Sequence, residues 1–157
     1  MFIIEKTCQF VEQKLAGDGS GHDWWHIYRV WNLAKSIAAQ EGANSLIVEL
    51  SALLHDIADW KFHDGDDTKG PQMADQFLLE NKVAREVINP VVEIVATISY
   101  KGAGVATPMQ TLEGKVVQDA DRLDAIGAMG IARTFAYGGH KNRLMYHPDE
   151  KPVMHQS

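Results

Sequence analysis

Residues Asn44 to Ile57 read N-S-L-I-V-E-L-S-A-L-L-H-D-I. Asn44 carries the side chain of a helix N-cap. Behind it Ile47, Leu50, Leu54 and Ile57 recur at threes and fours, flanked by Leu46 and Leu53. That is the period of one helix face. The apolar run closes on His55-Asp56, and from Phe62 to Gly70 the chain turns polar and glycine-containing, a predicted loop. A helix that ends on two polar side chains presents them at a rim, where both can turn inward toward one point. Inside the helix, neighbours would diverge by about 100°.

The same period runs outward in both directions. Ile4, Cys8, Val11 and Leu15 share a face of a first helix, which Gly17 and Gly19 stop. A second helix covers about Trp24 to Gln40, with Ile27, Val30, Trp31, Ala34, Ile37 and Ala38 as its stripe and Gly42 at its C-terminal cap. Met73, Ala74, Phe77 and Leu78 predict a short helix. Asn89-Pro90 reads as an N-cap with proline at the first helical position, opening Val91 to Tyr100. Lys101 to Gly104 is a turn. Thr107-Pro108-Met109-Gln110 reads as a capping box opening a helix through Leu112, Val116, Ala120, Leu123 and Gly127. A last helix is expected from about Ala128 to Tyr137. No useful stretch alternates with period two, so the predicted fold is all-α, one helical bundle over residues 1–137. Residues 138–157, with Pro148 and Pro152, are expected to be loop or flexible tail.

Composition sets limits on function. The 157 residues include 21 acidic and 15 basic side chains, a formal charge of −6, which disfavours a broad footprint for a nucleic-acid polymer or an anionic membrane. One cysteine, Cys8, excludes an intramolecular disulfide and a CxxC zinc ribbon. No apolar run reaches the roughly 18 residues of a spanning helix, and Glu5-Lys6 interrupts any signal-peptide core. A cytoplasmic setting is expected. Trp24, Trp25 and Trp31 are expected to pack the core, while Trp60 and Phe62 lie beside the polar pair.

Chemistry concentrates at few positions: His26 early in the second helix, His55-Asp56 at the end of the third, and an acidic cluster, Asp119, Asp121 and Asp124, in the helix after Thr107. Imidazole nitrogen with carboxylate oxygen suits a divalent ion such as Mn, Fe, Co, Ni or Mg. Asp121 and Asp124 share a helix face and Asp119 points elsewhere, but spacing alone does not choose among them. His22, His26 and Arg29 also share a face. Arg29 could meet a phosphate oxygen in bidentate fashion or pair with a carboxylate. Asp59, one turn from His55, could accept a proton or orient that histidine, or simply sit on the surface. Lys61, His63 and Lys101 fall in polar turns where they could bind phosphate. His63 is the only histidine between Asp56 and Asp121, which favours one metal over two.

The words around these residues are more specific. His22-Asp23-Trp24-Trp25-His26-Ile27-Tyr28-Arg29-Val30, Ala52-Leu53-Leu54-His55-Asp56-Ile57-Ala58-Asp59 and Asp119-Ala120-Asp121-Arg122-Leu123-Asp124-Ala125-Ile126-Gly127 resemble the three metal-binding motifs of the HD superfamily of metal-dependent phosphohydrolases. Lys61-Phe62-His63-Asp64-Gly65-Asp66 and Tyr137-Gly138-Gly139-His140-Lys141 resemble its small bacterial YedJ/YpgQ-type branch. The resemblance spans about residues 20 to 145. It implies His26, His55, Asp56 and Asp121 as ligands of one divalent ion, manganese first among the candidates. Asp119 and Asp124 are left to support the ligands or pair helices. It also implies hydrolysis of a nucleotide, foremost a nucleoside triphosphate cleaved to monophosphate and pyrophosphate. Alternatives are a nucleoside monophosphate phosphatase, a cyclic-nucleotide or alarmone hydrolase, and, in a different class, a nucleotide-binding module without turnover. The expected partner is a small phosphorylated substrate, with a second copy in a homodimer allowed for.

Overall fold

In the computed structural model, which describes residues 2–17, 23–58, 67–100 and 105–151, the chain forms seven helices among the described residues. They are α1 (Ile3–Lys14), α2 (Trp24–Glu41), α3 (Ser45–Leu54), α4 (Lys69–Glu80), α5 (Arg85–Thr97), α6 (Leu112–Asp124) and α7 (Gly127–His140). The all-α expectation is met, with no strand among these residues.

Asn44 caps α3 as its side chain invites: Oδ1 accepts from the backbone N–H groups of Leu46 at 3.1 Å and Ile47 at 3.3 Å. The helix then disappears into the protein. Leu50, Ser51, Ala52, Leu53 and Leu54 are buried in succession, because α3 packs against α1, α2, α5 and α6 at once. One part of the core joins Val11, Ile27, Leu50, Leu53, Leu78 and Ile88; the other joins Val30, Ala34, Ala52, Ile94, Val117 and Ala120. Each fully buried leucine or isoleucine here contributes about 1.5–3 kcal/mol. With α3 held on four sides, its C-terminal end is fixed, and His55-Asp56 project from a rigid support. Across from that end, Asp23 caps α2, its Oδ1 accepting from the His26 N–H at 2.9 Å, so His26 sits in the first turn of a well-anchored helix.

Five sequence expectations are corrected. Helix α6 ends at Asp124 instead of running through Gly127, whose left-handed φ of 64° starts a separate helix, α7. Pro90 does not open α5 but lies inside it; the helix starts at Arg85 because burying Ile88 together with Val91, Ile94 and Val95 requires the earlier turn. That packing outweighs the backbone hydrogen bond proline cannot make. Thr107 does not cap α6. Thr111 does, its Oγ1 accepting from the Gly114 N–H at 3.1 Å, while the segment ahead of it buries Met109 against α5 and α6. Helix α7 runs on through Gly138 and Gly139 to His140. It ends where Asn142 takes a left-handed φ of 53° and the Arg143 N–H reaches back to the Gly138 carbonyl at 2.8 Å. Asparagine tolerates that conformation, so it stops the helix that the two glycines do not. Trp25 lies on the surface, 61% exposed, in an edge contact with Tyr28, whereas Trp24 and Trp31 pack on the core.

Candidate metal centre

The N-terminal turn of α2, the end of α3 and the last turns of α6 converge. His26 Nε2 stands 3.5 Å from Asp56 Oδ2 and 3.4 Å from Asp121 Oδ1. His55 Nε2 stands 3.7 Å from each of the same two oxygens. The two imidazoles are edge to face, with centroids 5.3 Å apart. His26, His55 and Asp56 each offer a donor atom within 4.8 Å of the others, and together they form a divalent metal-binding site. Both histidine side chains are buried, while Asp56 and Asp121 are 16% and 27% exposed, so the site opens past its carboxylates.

The far nitrogen of each ring is committed elsewhere. His26 Nδ1 lies 2.8 Å from Asp124 Oδ2, and His55 Nδ1 lies 2.9 Å from the Ala52 carbonyl oxygen. Both partners are acceptors, so Nδ1 carries a proton and Nε2 is the nitrogen left to face the common centre, where a metal ion would take the place of a second proton. His55 Nε2 is buried and makes no hydrogen bond, a costly arrangement unless something else coordinates it. Donors sharing one ion at about 2.0–2.2 Å stand roughly 3–3.5 Å apart, close to the spacings found. Two carboxylates and two neutral imidazoles also balance a divalent charge. The residues present fit a metal ion.

Electrostatics agree. Burial pushes the His26 imidazole down, but hydrogen bonds to Asp121, Asp124 and Asp56 outweigh it and hold the group up at about 10. His55 is likewise raised: burial opposes protonation, and Asp56 and Asp121 override it despite repulsion from His26. Burial would raise the Asp121 carboxyl, yet attraction to the two histidine rings beside it, 3.4 and 3.7 Å away, keeps it well below the usual carboxylate range. This cluster of acids demands positive charge, which a cation meets by replacing imidazole protons.

Among the other expected site residues, Arg29 grips Asp124, Nε to Oδ1 at 2.7 Å and Nη2 to Oδ2 at 3.0 Å. Asp119 is exposed on α6. Asp59, Lys61, His63 and Lys101 lie outside the described residues. Two contributors went unnoticed in the sequence. Arg133 on α7 reaches Asp124 Oδ2 at 3.2 Å; as the single charge in Gly127–Tyr137, it carried a readable signal. Asp67 joins Ser99 in lining a narrow pocket of about 20 Å³ beside His55 and Asp56, and nothing in its spacing announced that.

Comparisons with known proteins place this geometry. The model of the HD domain family matches residues 24–126, a span that holds all four clustered side chains. The YpgQ protein of Bacillus subtilis is 39% identical over 152 residues, covering 96% of this chain and 74% of its own. Its crystal structure in complex with ADP superposes with a TM-score of 0.75 at 37% identity, over 94% of this chain and 73% of that one. An HD-superfamily hydrolase from Bacillus thuringiensis is 48% identical with a TM-score of 0.71, over 95% and 71% of the two chains. A Lactobacillus plantarum protein reaches a TM-score of 0.83 at 36% identity, over 98% and 71%. With its His and Asp side chains gathered between three helices, the chain belongs to the HD-domain superfamily of metal-dependent phosphohydrolases.

Proposed function

We propose that this protein hydrolyses a phosphoanhydride bond of a nucleoside triphosphate, giving monophosphate and pyrophosphate. The carrying observation is the convergence of His26, His55, Asp56 and Asp121 on one partly open point. ADP in the YpgQ structure supports a nucleotide as ligand. When bound there, a divalent ion, manganese first among the candidates, supplies Lewis acidity, drawing charge from a phosphoryl oxygen and easing deprotonation of water.

The chain's own residues do the rest. His55 and His26 hold their lone pairs fixed through Nδ1, so no reorganisation is needed as charge develops. Asp56 and Asp121, on the open side, would hold the ion where an incoming phosphate can reach it. Arg29 keeps Asp124 in place with two of its nitrogens, and the remaining guanidinium N–H groups on this partly exposed side chain are assigned to a phosphate oxygen. Asp59 is assigned to accept a proton from the attacking water. Lys61, His63 and Lys101 are assigned to the polyphosphate. One water is consumed: its oxygen bonds to the α-phosphorus, and the bridging oxygen leaves with pyrophosphate.

A screen of manganese-loaded protein across nucleoside mono-, di- and triphosphates, reading phosphate and pyrophosphate separately, tests this. Pyrophosphate release from triphosphates is expected. Phosphate release from monophosphates would replace the proposal with a phosphatase. Nucleotide binding without any release would replace it with a binding module.

A further inference from the structure

Asp124, the last residue of α6, collects four bonds from three side chains behind the cluster. Its Oδ1 accepts from Arg29 Nε, and its Oδ2 accepts from His26 Nδ1, Arg29 Nη2 and Arg133 Nη1, at 2.7 to 3.2 Å. These donors come from α2 and α7. Its side chain is almost fully buried at 7% exposure, one turn beyond Asp121.

The other attachments of α7 are thin. Gly130 is the one buried residue in its fourteen, and among the described helices α6 is its main packing partner. Met129, Ile131 and Phe135 are 43%, 63% and 50% exposed. Gly130 lies so close to the end of α6 that an added Cβ would overlap the Ala125 carbonyl. Arg133 is therefore a principal tie between α7 and the body, and it ends on the oxygen that orients His26.

We propose that Asp124 is a positioning residue that couples the seating of α7 to the metal-binding cluster. The His26 ring pivots about its bond to the Cβ atom, so the Nδ1 bond to Asp124 sets where Nε2 points. Arg133 holds the shared oxygen from the far side. When α7 lifts, Oδ2 loses one of its three donors and the carboxylate follows the remaining arginine, turning the ring. By reciprocity, fixing Nε2 fixes Asp124 and through it α7. The proposal rests on the metal-binding reading of the cluster and not on the nature of the substrate.

Cobalt(II) titration of the metal-free full chain, read by visible absorption, gives affinity and ligand geometry. Amide exchange over Gly127–His140, with and without cobalt, gives the seating of α7. Arg133→Met and Gly130→Ala, neither of which alters a ligand, should each weaken cobalt binding at least about fivefold. Asp124→Ala should weaken it about 10–100-fold and shift the absorption band, and Asp124→Asn, which keeps an acceptor for Nδ1, should restore part of the loss. Cobalt should slow exchange in α7 of the parent protein and leave it unchanged in Arg133→Met. Thr111→Ala, which loosens the opposite end of α6, controls for general loss of stability and should bind as the parent does. Unchanged affinity in both α7 variants, or α7 exchange indifferent to cobalt, overturns the coupling while leaving the metal site standing. No cobalt binding by the parent protein overturns both.

Discussion

His55 illustrates how a single side chain can be both costly and necessary. Its Nδ1 is satisfied by a backbone carbonyl, but its buried Nε2 makes no hydrogen bond. In His55→Ala the cluster keeps His26 and both carboxylates, yet loses one of the donors converging on the ion. Elemental analysis after gel filtration should then find well under one metal per chain; full occupancy would remove His55 from the ligand set. Arg29 has a different office. It balances a nearly buried carboxylate through two charge-assisted bonds, so Arg29→Ala should cost about 1.5–3 kcal/mol. In a chain of this size that is a fall of roughly 3–12 °C in Tm. A variant that melts like the parent while KM rises would show that Arg29 acts on substrate alone.

At the level of helices, the recurrent theme is competition between local signals and packing. Thr107 and Thr111 have the same capping chemistry, but only Thr111 can start α6 while Met109 is buried behind it. Thr107 is used otherwise: its carbonyl accepts from Gln118 Nε2 at 2.9 Å and its Oγ1 from Arg122 Nη2 at 2.7 Å. Thr111→Ala should therefore cost about 1 kcal/mol in denaturant unfolding, within the range for a lost N-cap. An unchanged midpoint would mean that α6 frays at its start without consequence. Pro90 tells the same story in α5, where the apolar stripe carries the helix backward past its own apparent beginning.

For the molecule as a whole, the cluster acts as a clasp. His26 stands on α2 and His55-Asp56 directly follow α3, with Asp121 of α6 3.4 Å from His26, so an ion bound there would tie these elements together only in the folded state. Metal at about a hundred times its Kd should add about 2.7 kcal/mol to stability. Chelated protein should then melt about 5–11 °C below the metal-loaded form in calorimetry. Coincident transitions would deny the ion any preference for the native state. Among the described residues no helix is long and apolar enough to cross a membrane. Ile126, Ile131, Leu144, Met145 and Tyr146 are the widely exposed apolar side chains at the α7 end.

The sequence by itself determined that the chain is helical, and it located His26 and His55-Asp56 near helix ends. Caps and apolar periods act over a few residues, so Asp23, Asn44 and the stripe through Leu50 and Leu54 could be read without knowing what they face. It also narrowed the third contribution to Asp119, Asp121 and Asp124, because the helical repeat fixes the angles between them. Spacing could not say how the helix is turned about its own axis. That rotation is set by the burial of Val116, Val117 and Ala120 against α2, α3 and α5. Packing alone leaves Asp119 in solvent, aims Asp121 at the two Nε2 atoms and sends Asp124 behind His26 to meet Arg29 and Arg133. Arg133 could be recognised as an isolated charge, but its partner lies nine residues back on another helix, and only the tertiary structure joins them.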